Sequence, residues 1–437
     1  MSDHFTRRDF LQTSAIAAVG LPAMPFGVPS LIRAGNDDPI RVGLIGCGGR
    51  GTGAARDCAS GAPNIQVVAM GDLFADRLEE SRKELVQNIG AAYQVTDDHC
   101  FTGFDAYRKV LESRIDLVIL ATPPAFRPVH LKAAVEAGKH IFTEKPVAVC
   151  PTGIRMVLAA ADLAQQKGLA VVAGTQRRHD PRYQEAIQRL HDGAIGAIVS
   201  GQVYWNQGGL WKYDRKPGMS DVEWQVRNWL YYTWSSGDHI VEQHVHNLDV
   251  ANWVMGAHPL RALGMGGRQV RVDPAYGHIF DHFAVEYEYP NGARVVSMCR
   301  QQDGTAQYVG ERFVGAEGTS DARTSIRGKQ PWKAPASELN PYVQEHTDLL
   351  ASIRAGAPVN ELRQVAESTL TAILGREAAY TGQQLTWEEV LASDLDLLPG
   401  ELSFGERGVA PVPQPGVTQL SRPPLAHSRP VAAVPKP

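Results

Sequence analysis

Arg41-Val42-Gly43-Leu44-Ile45-Gly46-Cys47-Gly48-Gly49-Arg50-Gly51 runs a short apolar strand into three spaced glycines, Gly46-x-Gly48-x-x-Gly51. This spacing suits a turn that holds a dinucleotide. Gly46 permits the tight turn, Gly48 lets backbone amides approach a pyrophosphate, and Gly51 lets the next helix pack on the strand. That helix would present free N–H groups and its positive end to the phosphates. A second apolar run, 65–70, leads to Asp72, about 20 residues beyond Gly51, where a carboxylate can accept a ribose 2′-hydroxyl. Gly46, Gly48, Gly49, Arg50, Gly51 and Asp72 are therefore expected on the cofactor. Asp72 favours NAD, and nearby Arg77 keeps NADP open as the alternative. A glycine-rich turn alone would also suit other α/β domains; the series strand, glycines, helix, strand and acid is what separates them.

Outward from this turn, residues 40–148 alternate between the two periods. Strands are expected at 42–45, 67–70, 117–121 and 140–143, with helices through the fifties, at 75–89, 104–112 and 128–137. This alternation predicts a Rossmann-type, doubly wound parallel sheet. A further helix (152–167) and strand (170–173) lead into a region where strands dominate, at 199–205, 282–289 and 294–300, with Tyr289-Pro290-Asn291-Gly292 as a hairpin turn. The fold class is thus α/β followed by α+β, the second domain carrying an open, mainly antiparallel sheet. Helices at 341–354 and 362–381 would complete it, the first packing back toward the nucleotide domain. The expected boundaries are 1–36 for a leader and linker, 37–150 for the nucleotide domain, 151–395 for the second domain, and 396–437 for a proline-rich, disordered tail. Eight of the 27 residues from Pro411 to the end are proline.

The chain has 437 residues, 43% of them hydrophobic, enough for two ordinary cores. A formal charge of −4 offers no general attraction to nucleic acid or anionic lipid. Five cysteines without CxxC spacing suggest neither a disulfide framework nor a zinc ribbon. Near the start, Thr6-Arg7-Arg8-Asp9-Phe10-Leu11 precedes a weakly apolar stretch broken by Pro22, Pro25 and Pro29. This resembles a twin-arginine export signal, which implies the twin-arginine machinery as a partner and a periplasmic or otherwise exported protein. The prolines make the stretch a poor permanent membrane span.

Two constellations can carry chemistry. Glu144-Lys145-Pro146 follows a strand of the nucleotide domain, and ligands of such sheets bind at the carboxyl ends of strands. An ammonium there can hydrogen-bond an oxygen that becomes negative as its carbon loses hydride; a surface lysine ending a strand is the plain alternative. The second is Asp238-His239-Ile240-Val241-Glu242-Gln243-His244-Val245-His246-Asn247-Leu248-Asp249. If helical, it places Glu242 and His246 four apart on one face, where the carboxylate would orient the imidazole and raise its basicity for general-base work. A polar interdomain patch is the alternative, and a metal held by His239, Glu242, His244 and His246 is disfavoured by the absence of HExxH.

The series Gly46-x-Gly48-x-x-Gly51, Asp72, Ala121-Thr122-Pro123-Pro124, Glu144-Lys145-Pro146, Arg178-x-x-Pro181-x-Tyr183 and Glu242-x-x-x-His246-x-x-Asp249 resembles the Gfo/Idh/MocA oxidoreductases over residues 38–390. The resemblance implies Lys145 and His246 as catalytic, with Glu242 where aspartate is usual in that family. It implies Thr122, Pro123, Glu144 and Lys145 on the cofactor, and Arg178, His179, Tyr183 and His244 on the substrate side. It also implies a sugar or polyol substrate and a homo-oligomer formed through the open sheet. Five of the eight tryptophans, with four tyrosines, fall within 204–234 and could stack on sugar rings or pack a core or an interface. The Tyr-Pro-Thr-His segment of the family's redox glycosidases is missing, which lowers but does not remove a glycosidase or lyase that works through a transient keto sugar. A non-catalytic sugar sensor is the reading from another class. Export adds one expectation. Where no NAD is supplied, a cofactor loaded before export should be retained and turnover should be redox-neutral.

Overall fold

In the computed structural model, which describes residues 38–421, the alternating runs of the first half form a parallel sheet of six strands. Its elements are β1 (Ile40–Ile45), α1 (Gly49–Gly61), β2 (Ile65–Asp72), α2 (Ala75–Ile89), β3 (Cys100–Thr102) and α3 (Ala106–Glu112). They continue with β4 (Leu117–Leu120), α4 (Arg127–Glu136), β5 (His140–Thr143), α5 (Pro151–Gln166) and β6 (Val171–Ala173). The order is β3-β2-β1-β4-β5-β6, with β1 between β2 and β4, so Gly43 lies opposite both Ala69 and Val118. Strands covered on both faces are apolar throughout, and Leu117–Leu120 is buried at every position. The parallel sheet runs past residue 150, where a boundary was expected, because the buried strand β6 pairs with β5 through Ala173.

The second half contains α6 (Pro181–His191), β7 (Ile198–Gln207), α7 (Asp221–Arg227), α8 (Thr233–Ser236), α9 (His239–Glu242) and α10 (Val245–Met255). Then come β8 (Arg261–Gly267), β9 (His282–Glu288), β10 (Arg294–Gln301), β11 (Tyr308–Gly315), β12 (Gly318–Ser320), β13 (Ser325–Gly328) and β14 (Trp332–Lys333). The last are α11 (Pro341–Ala355), α12 (Leu362–Thr381), β15 (Gln384–Thr386) and α13 (Trp387–Ala392). These strands make a nine-stranded sheet ordered β14-β13-β12-β11-β7-β10-β9-β8-β15. Every pairing is antiparallel except β7 with β10, as an open, mainly antiparallel sheet requires.

One face of this sheet holds Val203, Phe283, Val285, Val295 and Phe313 against Leu370, Ile373 and Leu374 of α12. Among the described residues the other face is bare: Met265, Ala284, Met298 and Tyr204 lie in one cross-strand row, and Met265 is 70% exposed. As expected, α11 packs back on the nucleotide domain, where Thr347 Oγ1 donates to the carbonyl of Gly61 at 3.0 Å.

The expected disordered tail is corrected over 396–421. That stretch is irregular but seated: the Gly416 amide donates to Thr381 O at 2.8 Å, Leu420 is buried, and the Arg407 guanidinium lies 4.2 Å from the Trp234 ring centre. Apolar anchors between the prolines, Leu397, Leu402 and Leu420, explain this. Residues 422–437 and the Arg7-Arg8 leader lie outside the described residues. Among the described residues no helix is long and apolar enough to cross a membrane.

Candidate active site

At the end of β1 the chain turns through Gly46 at φ +96°, where a Cβ would lie 2.6 Å from the Ala121 backbone. A Cβ on Gly51 would lie 1.8 Å from the Gly46 carbonyl oxygen, so α1 can sit on this turn only with glycine there. Gly48 and Gly49 differ: among the described residues nothing lies within 4 Å of a Cβ on either. Among the described residues no side chain caps α1. The turn therefore offers uncapped N–H groups at a helix N-terminus to open space, the cradle a pyrophosphate needs. Asp72, at the end of β2, accepts the Cys47 amide at 2.7 Å and the Phe74 amide at 2.8 Å. Burial raises its pKa while these two donors oppose the rise. The turn and Asp72 line a cavity of about 370 Å³ that continues past Leu73 and Phe74 and is flanked by Thr122 and Pro123.

Arg50, expected on the cofactor, reaches the cavity but commits its donors elsewhere. It pairs with Glu144, with Glu345 at 3.2 Å and with Asp57 at 3.3 Å. Glu144 is buried and also accepts the Lys145 amide at 3.3 Å. Glycine at 174 gives this carboxylate its room, since a Cβ there would lie 2.6 Å from it and displace it. Lys145 directs Nζ to Glu242 O at 2.8 Å, Glu242 Oε1 at 3.3 Å and Gln243 Oε1 at 3.2 Å.

This arrangement corrects the pairing expected of Glu242 with His246. The segment is not one helix: α9 ends at Glu242 and α10 begins at Val245, so the i,i+4 relation does not place the two side chains together. Among the described residues no hydrogen bond joins them, and Glu242 turns to Lys145. His246 stacks on Trp205, with ring centres 5.6 Å apart at 22°. Burial, followed by the nearby charges of Lys145, Arg177 and Arg50, pushes its pKa well below the ordinary value rather than above it. The neutral imidazole is thereby favoured, at the cost of basicity.

The four residues expected to line the substrate side serve the interior instead. His244 is fully buried with Nε2 2.7 Å from Ser297 Oγ on β10. Arg178 pairs with Asp249 through Nε and Nη2, both at 2.9 Å, and lies 4.7 Å from the Trp253 ring centre. His179 sits between Asp348 at 2.6 Å and Glu361 at 3.3 Å; burial alone would lower its pKa, but the two carboxylates raise it to about 10. Tyr183 OH donates to Glu311 at 3.1 Å. Buried polar groups need partners, and these have found them across elements.

The structure brings in residues the sequence did not single out. Arg177, next to the expected Arg178, pairs with Glu311 of β11, and Asn247 Nδ2 donates to the same carboxylate at 2.6 Å. Arg177 also lies 5.7 Å from the Trp205 ring centre, adjoining His246. Gln243, between Glu242 and His244, is the third acceptor of Lys145. Only Asn247 had a signal, its place beside His246. The aromatic group at 204–234 divides: Trp205 serves His246, Tyr204 faces Tyr308 on the bare sheet, Tyr231, Tyr232 and Trp234 are buried, and Trp211, Tyr213 and Trp229 line the nucleotide cavity. His239 directs Nε2 toward Trp205 O while His244 faces Ser297, and no group of His, Cys, Asp or Glu among the described residues is placed to hold a metal ion.

Residues 40–175 match the oxidoreductase family with an NAD-binding Rossmann fold, and residues 183–326 match the GFO/IDH/MocA C-terminal domain. The chain belongs to the Gfo/Idh/MocA oxidoreductase family. Its first domain is the NAD-binding Rossmann domain of that family. The chain is similar to the scyllo-inositol 2-dehydrogenase (NAD(+)) of Bacillus subtilis, 25% identical over 227 residues, 52% of this chain and 57% of that protein. The match thus spans little more than half of that relative's length. In fold it resembles two solved structures, each with a TM-score of 0.61 over 80% of this chain and 99% of the other. They are an aldose-aldose oxidoreductase from Caulobacter crescentus at 18% identity and a levoglucosan dehydrogenase in complex with NADH and levoglucosan at 20%. Within this Gfo/Idh/MocA frame, the Glu144-Lys145-Pro146 loop and the α9–α10 junction come from the two domains and meet at Lys145 Nζ.

Proposed function

We propose that the chain is an NAD-dependent oxidoreductase that oxidises a hydroxyl of a sugar or polyol. One observation carries this: contacts run unbroken from the glycine turn through Arg50, Glu144 and Lys145 to Glu242, next to neutral His246. Bound NAD would supply the hydride acceptor. Lys145 has three donors and three protein acceptors, so a substrate oxygen reaches it by displacing one, and Gln243 is an uncharged one. On that oxygen the ammonium stabilises developing negative charge, and His246 takes the proton. The inositol dehydrogenase relative supports the polyol class. His244, sealed against Ser297, is not available as the second base that an eliminating glycosidase would use.

The finer reading follows from the Arg7-Arg8 leader. The protein is exported folded with NAD bound, keeps it through a redox-neutral cycle on carbohydrate, and self-associates through the bare sheet face. Asp72 makes NAD the preferred cofactor over NADP, since a carboxylate repels a 2′-phosphate.

The test is to isolate the full chain from the periplasm, identify retained nucleotide by mass spectrometry, and add pooled sugars and polyols. Reduction of the nicotinamide, followed by many turnovers without added NAD, is expected. An NAD-loaded protein that no member of the panel reduces would be a sensor, and the enzymatic reading falls. An empty protein that consumes added NAD stoichiometrically keeps the oxidoreductase and removes the retained cofactor.

A further inference from the structure

The nucleotide cavity has a wall that the glycine turn does not explain. Beyond Asp72 one side is built by Leu73, Phe74 and Arg77 of the first domain, and the other by Trp211, Tyr213 and Trp229 from the segment that joins β7 to α8. A pyrophosphate on the turn and a ribose on Asp72 direct the adenosine half of a dinucleotide into this part. We propose that residues 210–229 are a strap from the second domain that closes over the adenosine half of bound NAD, and that its latch to α2 controls how fast the cofactor leaves. The proposal rests on the NAD-binding reading above and deepens it by naming what retains the cofactor.

The strap is built, not draped. Its backbone is fixed by residues with no exposed surface: the Tyr213 amide donates to Asn228 Oδ1 at 2.7 Å, and Tyr231 OH donates to Trp211 O at 2.6 Å. Trp224 Nε1 adds a bond to Tyr213 O at 3.0 Å. From behind, the C-terminal segment braces it, the Val222 amide donating to Gly405 O at 3.2 Å and the Arg407 amide to Asp221 Oδ2 at 2.9 Å.

Its hold on the first domain is of a different kind, made by side chains on the first turn of α2. Arg77 Nη2 donates to Tyr213 OH at 2.7 Å. Arg227 pairs with Asp76 at 2.9 Å and lies 3.9 Å from the Phe74 ring centre. Such exposed polar and cation–π contacts are individually weak, so the latch can open while the anchored strap keeps its shape. Trp211 and Tyr213, 42% and 39% exposed, leave aromatic surface for an adenine. The latch also bears on cofactor choice. Arg77 is the cation best placed to meet a 2′-phosphate beside Asp72, and it is committed to Tyr213 and to Glu80 at 3.3 Å.

The test displaces bound NADH from the full-length protein with excess NAD and follows the loss of nicotinamide fluorescence. Tyr213→Phe removes the hydroxyl and keeps the ring; Asp76→Asn weakens the second contact from a side chain that is 62% exposed, so it can be read even if a strap variant folds poorly. Combined, they are expected to raise the NADH dissociation rate about tenfold, equivalent to about 1.4 kcal/mol. Tyr213→Phe alone should raise the affinity for NADP relative to NAD by freeing Arg77. If wild-type protein binds NADH and both variants release it at the wild-type rate, the strap is overturned and the cofactor assignment stands. Wild-type protein that binds no NADH overturns both.

Discussion

His246 is neutral for a reason its neighbours in sequence do not reveal: it is buried beside Lys145, Arg177 and Arg50, with an indole and not a carboxylate against its ring. Its protonated form is disfavoured, so the base should remain available as pH falls through the ordinary histidine range near 6.5. His246→Ala is expected to lower kcat by about 10²- to 10⁴-fold on a verified substrate and leave NAD affinity unchanged. Glu242→Gln keeps an oxygen for Lys145 and should do less damage. In the wild type the acid limb of the kcat profile should lie well below the ordinary histidine range; a limb near 6.5 would show an ordinary, solvated imidazole, and wild-type turnover in His246→Ala would remove the catalytic role. Lys145, Asp72 and the glycines were visible in the sequence because their types and spacings are tied to strand ends and turns, whereas the spacing of His246 to Glu242 pointed to a pairing the structure does not make. Which of Arg177 and Arg178 faces the site was not, since adjacent residues point to different sides and only tertiary contacts, Glu311 for one and Asp249 for the other, tell them apart.

Elements show the same division. The buried parallel strands were readable as apolar runs, but β8, Arg-Ala-Leu-Gly-Met-Gly-Gly, was not among the expected strands, its three glycines breaking the pattern. Its Gly264 is there because α12 crosses closely: a Cβ would lie 2.9 Å from the Ala379 amide nitrogen. The break between α9 and α10 was hidden for the opposite reason, an apolar pattern that continues through a backbone turn at Gln243. The turn between β1 and α1 has least room to vary. Gly51→Ala would drive a methyl into the Gly46 carbonyl and push α1 away from the turn whose amides face the cavity. Overpacking of this kind costs about 1–3 kcal/mol of stability, so the melting temperature should fall, and NAD binding should weaken by fluorescence titration as the turn is displaced. Gly48→Ala, with open space around its Cβ inside the fold, should leave the melting temperature unchanged while still weakening NAD. Equal stability loss in both variants would remove the distinction between a packing glycine and a ligand-facing one.

Over the whole molecule, buried histidine is the largest acid liability. Burial lowers the pKa of His130 and His239 to about 3 and of His278 to about 4, and it lowers His140, His244, His246 and His346 as well. In the unfolded chain each takes up a proton near pH 6.5. Below that pH the unfolded state therefore binds more protons than the folded one, and stability falls by up to about 1.4 kcal/mol per pH unit for each such residue. Three carboxyls act the other way: Asp72, Asp238, raised to about 6, and Glu345 are held above their ordinary values by burial, so the folded state protonates first there. They are outnumbered. His179, raised to about 10, adds no slope below pH 6.5 because both states are then protonated; its ion pairs are lost instead as pH rises toward 10. The melting temperature should therefore fall steeply from about pH 6.5 to about pH 4.5 and decline gently above neutrality, the second slope vanishing in His179→Gln. Saturating NAD should raise the whole acid limb without changing its steepness, because most of these histidines lie away from the nucleotide cavity and bind no proton in either folded form. A melting temperature that stays flat down to about pH 4.5 would mean that these imidazoles are solvated in the folded protein.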